Sequence, residues 1–178
     1  MDGLVRHFRA MARNNAWANR RLLTACVALG PREFAAPRVS FFPSLRETLN
    51  HSLLIDRYYL DALEEGGRGR SLAADRPDIA SPAALRTAQG AQDRRLIAFC
   101  DRLGAADLWR WVDTDRGHPV PERIDRLLAH LFQHQIHHRG QAHAMLAGTA
   151  VAPPQLDEFF LEFDRHPSVA ELGLLPEG

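Results

Sequence analysis

The sequence contains no lysine, and all 22 of its basic residues are arginine. That excludes a Schiff-base lysine and a phosphate-loop lysine outright. GC-rich coding is a sufficient cause for the bias. Excess charge of one sign is missing too, because 22 acidic residues balance the arginines and the formal net charge is zero. Such a chain has no global field to draw in nucleic acid or an anionic bilayer, and no basic stripe interleaved with aromatics appears. Cysteine is scarce: Cys26 and Cys100 each sit in an apolar stretch outside any C-x-x-C pair. They read as buried thiols of a protein from a reducing, cytoplasmic compartment rather than as a disulfide framework. No apolar run approaches the roughly 18–20 residues of a membrane span, and no leader-like segment opens the chain.

What is present in quantity is apolar periodicity. With 178 residues and 46% hydrophobic content, residues 1–178 read as a single domain with a proper core. A first helix is expected from Gly3 to Leu29, where Leu4, Phe8, Met11, Trp17, Leu22, Cys26 and Leu29 recur at mixed three and four spacing. Gly30 and Pro31 stop it. After a proline-punctuated link, Ser44 and Glu47 have the order of a capping box, and a second helix from Leu45 to Leu63 follows.

The glycines around Glu65 break that helix, and Ser81 followed by Pro82 opens a third, Ala83 to Leu103. Trp109 to Val112 alternates, Asp115 to Gly117 supplies a turn, and a return from His118 gives a short hairpin. The fourth helix is expected from Pro121 or Glu122 to Ala147, and a short closing helix, Gln155 to Asp164, carries Leu156, Phe159, Phe160 and Phe163. Four long amphipathic helices with little strand between them make an all-α four-helix bundle.

Five of the nine histidines, His130, His134, His137, His138 and His143, crowd into fourteen residues of the fourth helix. At about 100° per residue the first four share one stripe and His143 falls on the opposite side, as a packing or surface residue. Imidazoles one turn apart, such as His134 and His138, can converge on a single cation. A third ligand must come from elsewhere, and His51, inside the second helix among Leu49, Leu53, Leu54 and Ile55, is the best placed. Three neutral imidazoles suit zinc, nickel, copper or iron(II) and leave positions open, as catalytic sites do. Gln141 lies on the same face and can orient a ligand. Asp56, Glu47 and Asp125 are the acids available to pair the outer ring nitrogens. His130 and His137 stand beside the ligands as supporting groups or proton shuttles. Gly140 implies the close approach of a neighbouring helix. Trp109 and Trp111 read as core or interface filler, with pocket lining as the other reading.

These residues also carry a resemblance. HQIHHRGQ over 134–141, with Leu131 and Phe132 before it and HAML at 143–146, resembles the signature of the DinB (damage-inducible) superfamily of metal-binding four-helix-bundle proteins. FFPSLRETLNH over 41–51, followed by Asp56, is similar to that family's second helix, and NNAWAN over 14–19 to its opening helix. The resemblance implies a divalent metal on His51, His134 and His138, with zinc or nickel ahead of iron or manganese, in a bacterial protein that forms a homodimer. It also implies a small-molecule substrate and a thiol-dependent transferase or isomerase that uses a low-molecular-weight thiol such as bacillithiol, mycothiol or glutathione. A metal-dependent hydrolase, a non-catalytic metal-binding stress-associated protein and a bundle serving as an interaction module are the rival expectations.

Overall fold

For the first three long helices the apolar periodicity is realised within a residue of the expected limits. The computed structural model describes residues 2–69, 71–74 and 78–161. In chain order the elements are α1 (Asp2–Leu29), α2 (Pro31–Ala35), α3 (Leu45–Leu63), α4 (Ser71–Ala74), α5 (Pro82–Arg102), a 3-10 turn (Asp107–Trp109), β1 (Trp111–Asp115), β2 (Pro119–Arg123) and α6 (Ile124–Ala147). The architecture is the all-α bundle expected, with one two-stranded antiparallel sheet attached. Among the described residues, no helix is long and apolar enough to cross a membrane.

Local chemistry explains the boundaries. Gly30 adopts φ +84°, a conformation that glycine alone reaches without strain, so the chain turns sharply after α1 and restarts as α2 on Pro31. Ser44 caps α3 by accepting the Glu47 N–H at 3.1 Å. The capping box is only half made: the Ser44 hydroxyl donates to Glu47 Oε1 at 3.3 Å, so that carboxylate is bonded to a side chain rather than to the cap backbone. Ser81 caps α5 in the same way, accepting from Ala84 N at 3.3 Å with Pro82 at the first helical position.

Four expectations are corrected. The last helix begins at Ile124 rather than at Pro121 or Glu122, because Trp111–Arg123 through Asp115–Pro119 pair as a hairpin and take those residues into β2. Asp115 Oδ1 accepts the Gly117 N–H at 2.8 Å and Gly117 has φ +97°, which closes the turn and sets the register. The closing helix is not formed over Gln155–Leu161, which is loop and turn; residues 162–164 lie outside the described residues. Its apolar residues are used singly, Phe159 packing on Trp17 with ring centroids 5.5 Å apart while Phe160 stays half exposed. Gly140 meets no close helix, for a Cβ built there finds nothing within 4 Å. Trp109 and Trp111 are exposed rather than filling the core, and Arg123 lies over the Trp109 ring at 4.3 Å. Cys26 and Cys100 are buried free thiols, as expected, and burial pushes both up to about 12.

The interior has three layers. One apolar cluster joins Val5, Phe8, Leu60, Leu96, Phe99 and Leu128, and a second joins Leu22, Phe34, Leu45, Leu53, Leu85 and Leu146. Between them every long helix contributes polar side chains: Asn15 and Asn19 from α1, Asp56 from α3, Gln89, Gln92 and Asp93 from α5, Gln135 and Arg139 from α6, all buried. Arg139 donates to Asn15 Oδ1 and, at 3.1 Å, to Asn19 Oδ1. The amides of Asn15, Asn19 and Gln89 converge on Asp93 Oδ1 at 3.2, 3.0 and 3.1 Å, and Gln89 also donates to Asp56 Oδ2 at 2.8 Å. Gln92 and Gln135 donate to the backbone carbonyls of Asp56 and Ser52.

Burial sets the protonation of this layer. It raises Asp56 to about 7, helped by the negative charge of Asp93, and raises Asp93 to about 6 against the pull of its amide donors and Arg139. Arg139, brought down to about 10 by the same desolvation, stays charged at neutral pH. Between the ordinary carboxylate range and these raised values, the native state keeps protons that the unfolded chain has released. Stability from both aspartates therefore falls as pH rises through that window. Asp56→Asn removes its share. The unfolding free energy of that variant, relative to the parent protein, is expected to climb from about pH 4 to about pH 7.5 in urea titrations, and a pH-independent difference contradicts it.

Candidate metal centre

The site grows from the packing of α3 against α6. Thr48, Ser52 and Leu53 turn inward on α3, which leaves His51 at the edge of the α3–α6 seam. On α6, Leu131, Gln135 and Ala142 face the core, and one turn of helix carries His134 and His138 to the same edge. The donor from Gln135 to the Ser52 carbonyl, 3.3 Å long, fixes the two helices at the level where His51 meets His134.

There the three rings converge. His51 Nε2 and His134 Nε2 are 3.2 Å apart. The ring centroids lie 5.2 Å apart for His51 and His134, 4.7 Å for His51 and His138, and 4.4 Å for His134 and His138. One nitrogen from each ring falls within 4.8 Å of the others, and among the described residues this is the group that can hold a metal ion. Two nitrogens held tetrahedrally at about 2.0–2.1 Å from zinc are themselves about 3.3 Å apart, so the observed His51–His134 separation already matches one edge of such a polyhedron.

The electrostatics agree with the geometry. Burial, reinforced by the charges that His138, His51, His130 and His137 would carry, drives His134 down to about 3, so its ring is neutral with a lone pair available. His138 is also lowered by burial, with partial relief from its bond to Gln141. His134 Nδ1 is buried without a hydrogen-bond partner, and His138 Nδ1 donates to Gln141 Oε1 at 2.8 Å. The bond at Nδ1 leaves Nε2 as the basic nitrogen of His138. A set of imidazole nitrogen donors, two of them facing each other, fits a borderline divalent cation.

The remaining predicted residues are placed as follows. His130 is exposed, its ring 6.3 Å from that of His134 and edge-on to Tyr59 at 5.2 Å. His137 is exposed and takes a hydrogen bond from Gln141 Nε2 at 3.0 Å. His143 lies on the far side with Nε2 2.9 Å from the Pro154 carbonyl. Of the three acids considered as outer partners, Glu47 is bonded to the cap hydroxyl, Asp125 forms an ion pair with Arg123 at 2.6 Å and Asp56 belongs to the buried polar layer. For His138 the outer partner is an amide, Gln141.

Sequence reasoning missed Phe42. Its ring stands 4.6 Å from the His51 ring and 5.7 Å from the His138 ring, with Phe41 edge-on to it at 4.9 Å, and so walls one side of the cluster with hydrocarbon. Phe42 lies in a connection with no periodicity to read, and no spacing rule could have placed it there. Against known proteins, a family model described as the DinB family matches residues 4–168. No curated protein matches the chain.

Proposed function

The chain belongs to the DinB family, and on that footing we propose that it is a metal-dependent enzyme holding one divalent cation through His51, His134 and His138. The observation that carries this reading is the convergence of three imidazole nitrogens, drawn from two helices, within 4.8 Å. Zinc and nickel are the cations best suited to three nitrogen donors, with iron(II) and manganese behind them. Among the described residues the convergent group supplies three ligand atoms and no fourth, which favours an open site over a closed structural one.

A divalent cation held there would supply Lewis acidity and would lower the pKa of a thiol or water bound to it toward neutrality. The chain's own residues supply the rest. Phe42 shields His51 and His138 on one side and strengthens charge interactions there by excluding water. His130 and His137 stand at the solvent side, their rings 6.3 Å from His134 and 4.9 Å from His138, placed to carry protons between the site and bulk water. Both chain thiols are buried, so a sulfur nucleophile must arrive on a small molecule. Thiol-dependent transfer or isomerisation is the reading preferred through family membership, and metal-assisted hydrolysis is the alternative the assay must separate from it.

Two measurements test this. Elemental analysis of untagged protein is expected to find about one cation per chain, falling close to none in His51→Ala, His134→Ala and His138→Ala and unchanged in His143→Ala. At a free cation concentration about 100 times the Kd, the loaded protein gains about 2.7 kcal/mol over the free one, and the alanine variants lose that gain. The second measurement offers bacillithiol, mycothiol and glutathione, each with an electrophile, to the loaded protein. Consumption of one thiol supports transfer, whereas metal uptake with a silent thiol panel and turnover of an ester or amide panel moves the assignment to hydrolysis.

A further inference from the structure

We propose that His137 and Gln141 form a two-step positioning relay for His138, in which the ring of His137 clamps the Gln141 amide and the amide holds His138 with Nδ1 protonated and Nε2 bare toward the cluster. The inference rests on the metal-binding reading above and deepens it, because it names what sets the ligating tautomer of one ring. The contacts are His138 Nδ1 to Gln141 Oε1 at 2.8 Å and Gln141 Nε2 to His137 Nε2 at 3.0 Å.

The helix itself makes the relay possible. Gln141 follows His138 by three positions and His137 by four on α6, the two offsets at which side chains on a helix surface meet. One amide can therefore touch both rings, and it does so with unlike ends.

The chemistry of the amide gives the relay a direction. Its oxygen only accepts and its nitrogen only donates. With Oε1 against His138, Nδ1 of that ring must carry the proton, and a neutral ring then has its lone pair on Nε2. With the amide turned round, Nδ1 must accept and the proton moves to Nε2, which shuts His138 to a cation. His137 takes the free end of the amide: Gln141 Nε2 donates to His137 Nε2, which places the proton of the neutral His137 ring on its own Nδ1. The tautomers of the two rings are thus tied together through one side chain, and the exposed ring carries a record of how the half-buried cluster is arranged. His134 lacks such a device, since among the described residues its Nδ1 has no hydrogen-bond partner. Gln141 is only partly buried and His137 is exposed, so both can be replaced without opening the core.

The experiment combines a tautomer spectrum with metal affinity. Long-range 1H–15N correlations of the metal-free protein, recorded near pH 8 where free imidazole is neutral, are expected to show His138 and His137 each protonated on Nδ1. In Gln141→Leu both rings should revert to mixed tautomers. His138 protonated on Nε2 in the parent protein, or spectra unchanged by Gln141→Leu, overturns the relay. Zinc affinity, read by competition with a chromophoric chelator, should fall by about 10- to 100-fold in Gln141→Leu, the usual loss when the outer partner of a ligating histidine is removed. Gln141→Glu, whose carboxylate accepts from His138 whichever way it turns, should keep the parent affinity or exceed it. His137→Ala should weaken binding by about two- to five-fold in the parent background, through lost preorganisation, and not at all in the Gln141→Glu background. An equal effect of His137→Ala in both backgrounds overturns the clamp. Should the parent protein take up no zinc, the metal reading falls while the tautomer spectra still decide the relay.

Discussion

The guanidinium of Arg139, held in the middle of the bundle by the oxygens of Asn15 and Asn19 and facing the Asp93 charge, is the constraint on which the rest depends. Apolar layers above and below it would tolerate sliding, since hydrocarbon contacts are non-directional. A buried cation tolerates none, because any displacement leaves a charge without its partners at a cost of several kcal/mol. The layer ties α1 to α5 through Asp93, α5 to α3 through Gln89 and Asp56, and α1 to α6 through Arg139 itself. Helix register is fixed by those bonds, and with it the level at which His51 on α3 faces His134 and His138 on α6.

Close packing at that level also holds His134 neutral, because burial and the positive charge that His138 or His51 would carry both disfavour protonating it, and burial lowers His138 as well. The carboxylates nearest in the chain are engaged elsewhere, Asp56 in the polar layer and Glu47 at the helix cap. A divalent ion held by imidazole nitrogens alone would keep its full charge, which would favour an anionic ligand in any position left open.

Much of this was legible in the sequence because it follows helical periodicity. The limits of α3 agree residue for residue with the apolar pattern and its Ser44 cap, and the stripe of His130, His134, His137 and His138 is a matter of angle alone. What escaped has no period. The hairpin took Pro121 and Glu122 from the last helix because strand pairing with β1, a long-range contact, outweighed a local helix start. Gln155 to Leu161 has helical spacing but packs residue by residue, with Phe159 against Trp17 and the Gln155 carbonyl bonded by Arg21. Gly140 was read as a helix contact, yet it faces open space beside the Pro153–Phe160 strap. Phe42 and the Arg139 layer are brought to their places by tertiary packing, which one sequence does not display.

The two cysteines have a consequence for how long the protein lasts in use. Cys26 and Cys100 are fully enclosed, and as thiols pushed up to about 12 they present almost no thiolate. Exchange with a circulating disulfide needs an exposed thiolate, so the chain forms no mixed disulfide with small thiols unless it first unfolds locally. A small disulfide or a mild oxidant in solution therefore finds no accessible sulfur on either cysteine while the native fold stays closed.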